Sequence, residues 1–332
     1  MSGIKKFYRQ KEAYILSGLV LLILVMGIIN PRFLTPSNFI NILRSNSVLA
    51  VGAMGMLMIM LTGGIDISIA AVMTAAALTA GRCMAYHQMG LGAAFLVAVG
   101  VGVALGLANG FLIGKFALPP IIITLGTKNL IEGAIYIMTG GKVVNNAELP
   151  VSLKNLSALK PFGIPIQILL LFLLILLTWV ILRYTMAGRS LLAYGGNASA
   201  AASMGIRPLG VVLFAYGYAG AMAAVAGMLN TSIVISVSSS SFSGYEMDLI
   251  AALVVGGVSL AGGKGSPWGA FLGVAFMAVI VNGMTFAKIS TYYQDAITGA
   301  IILFAVTLEA VSSLRQQAKA AKIEVAGEEG VV

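Results

Sequence analysis

The sequence predicts an all-α polytopic membrane protein of about ten transmembrane helices, and three observations predict it. The chain of 332 residues is 59% apolar. At roughly 20 residues per crossing, that is apolar material for about ten crossings and little else. Charged residues are only 9%, where an ordinary soluble domain carries about a quarter. The mean hydropathy is +0.99. Together these exclude a soluble globular enzyme, a disordered chain and a nucleic-acid binder. The net charge of +9 lies mostly at predicted helix ends, where it orients a chain in a bilayer.

The elements follow in order. Residues 1–12 carry Lys5, Lys6, Arg9 and Lys11, and an apolar run over 13–29 follows. No small-x-small cleavage site comes after it, and the run ends in Asn30-Pro31-Arg32. An uncleaved first helix over about 13–30 is therefore expected. Pro36-Ser37-Asn38 starts a short interfacial helix, since Ser and Asn cap well. The second crossing, about 46–62, stops at Gly63-Gly64. The third runs about 67–86 and the fourth about 91–115. Pro119-Pro120 opens the fifth, about 119–139, and a polar stretch over 140–161 follows. The sixth is about 163–182, and a second polar stretch, 183–208, holds Arg183, Arg189 and Arg207. The seventh is about 209–230. A serine-rich segment, 236–243, leads to Glu246 and to an eighth crossing over about 247–261, which ends in Gly262-Gly263-Lys264-Gly265. The ninth is about 267–287 and the tenth about 293–313, with a polar tail over 315–332. The whole chain, 1–332, is thus one transmembrane domain whose second and eighth helices are broken by glycine.

Orientation follows from the basic residues. With the N-terminus inside, the inner segments carry Lys5, Lys6, Arg9, Lys11, Lys115, Arg183, Arg189, Arg207, Lys264, Arg315, Lys319 and Lys322, twelve of the twenty basic residues. Both termini are expected in the cytoplasm. One cysteine, Cys83, excludes an internal disulfide. His87 stands four residues later on the same helix face, but two ligands do not close a zinc site. No metal is expected.

Ala94, Ala98, Gly102, Gly106, Gly110 and Gly114 recur every four residues through the fourth crossing. Small residues at that spacing make a groove where another helix approaches closely. The seventh crossing repeats the idea with Gly217, Gly220, Ala221, Ala224 and Gly227. The glycine breaks at 63–64 and 262–263, and the likeness of Gly133-Ala134-Ile135 to Gly299-Ala300-Ile301, suggest two related halves. Interrupted helices at matched positions mark a transport pathway between such repeats.

No catalytic constellation stands in the sequence. The run Gly257-Val258-Ser259-Leu260-Ala261-Gly262-Gly263-Lys264-Gly265 fails as a phosphate-binding loop. Lys264 would need glycines at 258 and 263 and a Ser or Thr next. This chain is therefore not expected to hydrolyse ATP. Asp66 follows Gly63-Gly64-Ile65 at a break between apolar runs. Two readings stand for it: it caps a broken helix or lines a cavity, or it sits at the interface where water reaches it. Lys128 and Glu132 are four apart and can pair locally. Asn109, Asn129, Asn230 and Asn282 are buried polar candidates, more often helix-to-helix bonds than solute contacts. The stretch 187–208 is too polar and glycine-broken to span, yet carries short apolar faces. It either docks a cytoplasmic protein or lies on the lipid surface.

Four motifs resemble a known family. Gly63-Gly64-Ile65-Asp66-Ile67-Ser68 matches its second-helix break, and Ile123-Thr124-Leu125-Gly126-Thr127 its fifth-helix motif. Gly188-Arg189, Tyr194 with Gly195-Gly196-Asn197, Ala200-Ala201 and Gly205-Ile206 match its cytoplasmic coupling loop. Glu246-Met247-Asp248-Leu249-Ile250-Ala251-Ala252, Gly256-Gly257 and the glycines of 262–265 match its late block. In this order the chain, over about 13–313, resembles the permease subunits of bacterial ABC importers for monosaccharides, the ribose/xylose/galactose-type group.

The resemblance implies a multi-pass protein of the bacterial inner membrane with three kinds of partner. These are a periplasmic sugar-binding protein, a cytoplasmic ATP-binding subunit that holds ATP and Mg, and a second permease copy or paralogue. This chain itself would hold no cofactor. Gly188, Arg189, Tyr194, Gly195, Gly196, Asn197 and Gly205 would form the coupling loop that docks on the ATPase, and replacing Arg189 or Gly196 would uncouple transport. Gly63, Gly64, Asp66, Ser68, Thr124, Gly126, Glu246 and Asp248, with Asn109, would mark the path or its helix breaks. The outer segments 140–161 and 231–246 would face the binding protein. The chain departs from the family pattern at Ala70, Asn197-Ala198-Ser199 and Glu132-Gly133. These departures bear on the solute and on whether the dimer is of identical chains. A gradient-driven sugar carrier or channel is the alternative, which buried Asp, Glu or His relays would favour.

Overall fold

The computed structural model describes residues 2–290 and, beyond them, 292–294, 296–301, 303 and 307, with side chains from residue 12 onward. The predicted tenth crossing falls largely, and the polar tail wholly, outside the described residues. Twelve α-helices are described in order: α1 Ser2–Ile29, α2 Pro36–Leu61, α3 Ile69–His87, α4 Leu91–Phe116, α5 Pro120–Thr139, α6 Val151–Ala158, α7 Ile166–Tyr184, α8 Met186–Gly196, α9 Ala198–Ser203, α10 Pro208–Val234, α11 Tyr245–Val255 and α12 Pro267–Phe286. Eight of them are long and apolar enough to cross a membrane: α1, α2, α3, α4, α5, α7, α10 and α12.

Two expectations about helix extent are corrected. The interfacial helix after Pro36 and the second crossing are one unbroken helix, α2. Several of its polar residues find a partner on a nearby turn or helix, so they do not interrupt it. Asn46 Nδ2 donates to Ile42 O and Ser47 Oγ to Arg44 O, while Asn38 Nδ2 reaches Phe33 O and Asn282 Oδ1. The Gly63-Gly64 pair lies beyond its end, between α2 and α3. The eighth crossing shrinks to α11, eleven residues long. At 1.5 Å per residue that is roughly 16 Å, about half a hydrocarbon core. Glycine ends it: Gly257 takes φ 80° and Gly263 φ 69°, conformations a side chain resists, and no helix resumes until Pro267.

The core is built around α10. The predicted groove of small residues on α4 is where α10 lies. A Cβ placed on Gly220 would stand 2.0 Å from Gly102 O, and one on Gly102 would stand 2.2 Å from Gly220 O. Gly106 likewise faces Tyr216 O at 2.2 Å. Lipid gives no hydrophobic drive between helices, so this backbone contact supplies the attraction. The small residues of α10 divide between neighbours, since Gly227 faces Met73 O of α3 at 2.6 Å and Ala219 abuts Gly55 of α2. Replacing Gly220 by Ala is expected to cost about 1–3 kcal/mol or more, because the obstacle is backbone and cannot rotate away. Gly100→Ala, on α4 where nothing lies within 4 Å, is the control. Unfolding midpoints of both variants in mild detergent check this, and equal midpoints would refute it.

The helices order the molecule into two ends. At one, the close of α2 meets α8 and the loop before α12, and Ser266 Oγ donates to Glu12 on α1. At the other, Phe33 packs edge-on against Phe286 at 5.7 Å and Arg44 donates to Ser157 Oγ of α6 at 2.9 Å. Val144 and Val237 form a two-way backbone bridge on that side, 2.9 Å in each direction.

Candidate functional site

Three arrangements bring the candidate residues together. The first is the connection between α2 and α3. Asp66 is buried, at 3% exposure, and its Oδ1 accepts from Ser68 N at 2.7 Å and Ser68 Oγ at 2.6 Å. The carboxylate is thus sequestered and braces the turn that leads to Ser68, the N-cap residue of α3. A carboxylate there also faces the positive end of α3. Ser68 Oγ accepts in turn from Asn109 Nδ2 of α4 at 2.9 Å. Asn109 Oδ1 accepts from Thr127 Oγ1 of α5 at 2.7 Å, and Thr124 Oγ1 accepts from Ile67 N at 3.1 Å. Ser68, Asn109 and Thr124 are all buried. A non-helical segment is thereby fastened to two helices by neutral polar groups. Beside it, Tyr216 Oη is buried without a hydrogen-bond partner, 3.4 Å from where a Gly64 Cβ would stand.

The second arrangement is at α8. Thr185 caps this helix through Gly188 N at 3.1 Å, and Gly188 lets it fold back on α7, with Ile181 O 2.2 Å from its Cβ position. At the far end of α8, Gly195 is wedged against two other segments. A Cβ on it would lie 1.7 Å from Leu61 O and 2.7 Å from Gly263 N. Those two groups are themselves bonded, Gly263 N donating to Leu61 O at 2.9 Å. So α8, the end of α2 and the 262–263 glycine loop meet backbone to backbone. Gly196, expected to matter, is exposed and open, with nothing within 4 Å of its Cβ position; the steric constraint sits on Gly195. Asn197 caps α9 through Ala200 N at 2.9 Å, and Gly205 turns the chain toward α10 with φ 84°. Tyr194 is half-buried, while Arg189 and Met204 are exposed. Arg189 Nη1 donates to Tyr184 O at 3.3 Å.

The third is an ion pair between α5 and α11. Glu246 is buried and accepts from Lys128 Nζ. The expected partner Glu132 is also within reach, at 4.0 Å, but Glu246 is the closer and more buried one. Glu246 Oε2 has no hydrogen-bond partner. Asp248 lines a separate cavity with Asn46 and Asn282. Gly126 is not brought to the Asp66 cluster; it is exposed, with open space at its Cβ position. Sequence reasoning passed over Tyr216 and over Thr127 as a bonding partner, although a hydroxyl one turn after Thr124 on the same face was a legible sign.

A family described as branched-chain amino acid transport system / permease component matches residues 38–306. The chain belongs to this family. It is therefore a transport subunit rather than an enzyme. Among its relatives, the ribose import permease protein RbsC of Bacillus subtilis is 34% identical over 293 residues, covering 88% of this chain and 90% of that protein. The RbsC of Escherichia coli K12 is 32% identical over 299 residues, covering 89% and 92%. The autoinducer 2 import system permease protein LsrC of Yersinia pseudotuberculosis is 34% identical over 301 residues, covering 90% and 85%. No solved structure matches. In this permease α8 and the close of α2 touch, at Gly195 and Leu61.

Proposed function

We propose that this chain is the membrane-spanning permease subunit of an ATP-driven importer, and that it forms the path for a monosaccharide or sugar-like solute. A periplasmic binding protein delivers the solute, and a separate cytoplasmic subunit binds ATP and Mg. The observation that carries this reading is the Gly195–Leu61–Gly263 junction. The partly exposed short helix α8, which could dock a partner, abuts there both glycine segments, the one that follows α2 and the one between α11 and α12. A partner that binds α8 and α9 differently in its ATP state would move both breaks together. About 5.5 kcal/mol of differential binding shifts a two-state equilibrium from 1:99 to 99:1, and a nucleotide-driven partner can supply it.

The finer architecture belongs to the same reading. The glycine segment 256–266 completes the half-length crossing begun by α11. With residues 293–313 the crossings number ten, in two related halves. Both termini lie in the cytoplasm of a bacterial inner membrane. The Val144–Val237 bridge supports a single outer face made from the 140–161 and 231–246 segments, suited to the binding protein. A second copy or paralogue completes the path. The test is a tagged pull-down from native membranes followed by reconstitution. An ATP-binding protein should copurify, and sugar uptake should require ATP. A chain that purifies without an ATPase and still moves sugar down its gradient would overturn the proposal.

A further inference from the structure

A cleft of about 420 Å³ runs between α3, α4 and α5. That volume is within the roughly 300–1,000 Å³ range of small-molecule sites. Its wall is divided along its length. Leu78, Val101, Leu105, Ile131, Ile135 and Met138 make most of it apolar, while Thr79, Arg82 and His87 stand toward one end. From Ala75 to His87 the α3 wall rises roughly 18 Å, at 1.5 Å per residue, close to the roughly 15 Å that one leaflet contributes to a hydrocarbon core. Ala134 and Met138 of the wall are exposed, so the cleft opens sideways, toward lipid. The basic end is the one that carries the Val144–Val237 bridge, since a Cβ on Gly81 would stand 2.9 Å from Val237 Cγ1. Water gains little on the apolar part of this wall, because it needs several polar partners.

The basic end offers an anion a partner that the protein itself does not supply. Among the described residues Arg82 forms no ion pair, and its guanidinium lies over the Tyr86 ring, 5.4 Å from the centroid. The carboxylate on this side, Glu148, is engaged elsewhere: Oε1 accepts from Tyr86 Oη at 3.1 Å and Oε2 from Asn145 N at 2.9 Å. No Asp or Glu stands among the described residues of the wall. Thr139 is likewise spent, its Oγ1 donating to Ile135 O at 2.8 Å and accepting from Gly141 N at 3.1 Å. An arginine near a helix end, above an apolar cleft, presents its fork of N–H groups to an anion at the membrane surface. His87, exposed at the close of α3, adds a ring N–H. A free phosphate would use only this end and leave the apolar length empty. A purely apolar occupant would leave the guanidinium without a counter-charge. A molecule with both parts matches both.

We propose that this cleft holds one acyl chain of an anionic glycerophospholipid, with the headgroup phosphate against Arg82 and His87. Such a site holds whichever energy source drives the permease. A zwitterionic headgroup carries its own cation beside the phosphate, so the net anionic lipid is preferred. The test uses the full chain, with its copurifying partners, in nanodiscs doped with a lipid whose acyl chain carries a photoactivated diazirine. Phosphatidylglycerol and phosphatidylcholine probes are compared, and the crosslinked peptides are mapped by mass spectrometry. The phosphatidylglycerol probe should mark the wall segments 75–83 and 131–138 roughly fivefold more than the phosphatidylcholine probe, the factor that one basic residue contributes at an anionic membrane surface. Arg82→Gln should bring the two probes level, while Arg82→Lys keeps most of the difference. Ala134→Phe, which fills the cleft from α5, should remove marking of 75–83 by both. Glycerol phosphate, which has the anion without the chain, should leave the marking unchanged. Equal marking by both probes in the unaltered chain would overturn the proposal, and so would competition by glycerol phosphate. Absence of marking at both segments, as when a second copy of the chain covers the cleft, would overturn it too. The headgroup comparison needs no variant, so it decides the matter even where Arg82→Gln fails to fold.

Discussion

Gly195→Ala is expected to abolish most ATP-driven uptake while leaving the chain inserted and folded. The added methyl would stand 1.7 Å from Leu61 O, so α8 must lift away from the end of α2 and from Gly263. The cost falls on one junction at an end of the helix bundle, away from the α4–α10 contact. If the altered seating transmits only half of the roughly 5.5 kcal/mol needed for full alternation, the ratio of states falls by roughly 100-fold. Gly196→Ala, one residue on and open to solvent, should transport normally. Uptake and copurification of the ATP-binding partner are measured for both. Normal uptake by Gly195→Ala would show that the junction carries no motion.

Glu246→Ala is expected to destabilise the chain by about 3 kcal/mol, because it strands Lys128 among membrane helices. Glu132, 4.0 Å from the same nitrogen and 44% exposed, offsets part of that loss and keeps the figure at the low end of the usual range. The double replacement Lys128→Met with Glu246→Leu should restore most of the stability, since two apolar side chains of similar volume need no partner. Unfolding midpoints of the wild type, Lys128→Met, Glu246→Leu and the double variant give the coupling directly. Additive losses would show that the pair is not a unit. A double variant that is stable yet transports poorly would assign the pair to movement between α5 and α11.

Much of the fold was legible because it is local. The apolar runs that became α1, α3, α4, α5, α7, α10 and α12 each exceed the length a soluble core helix needs. The four-residue register of Gly102, Gly106 and Gly110 announced a helix contact before its partner was known. What the sequence hid was pairing at a distance. Leu61, Gly195 and Gly263 lie in separate segments, and nothing in the local pattern of any one names the other two. Lys128 had an obvious neighbour in Glu132, and that local choice masked Glu246. The early end of α11 was hidden for a different reason. Val258 and Leu260 continue the apolar run, so hydropathy passes straight through a stop set by the backbone angle of Gly257. Asp66 was seen as important, but the Ser68 hydroxyl that bonds it is held by Asn109, and the neighbouring Ile67 by Thr124, from two later helices.

The position of α1 carries a consequence for biosynthesis. This helix packs chiefly on α12 and on the short turn Pro31–Leu34, and only 11% of its spanning window is buried. Its main partner leaves the ribosome about 240 residues later, on the order of 10–50 s at ordinary elongation rates. Through that interval α1 must live in the bilayer as a lone helix, its flanks bathed in acyl chains. Leu21, Leu24 and Ile28 on its exposed side suit that solitary stage as well as the finished molecule. This helix thus docks on its main partner late, closing that side of the assembly once the ribosome has passed Phe286.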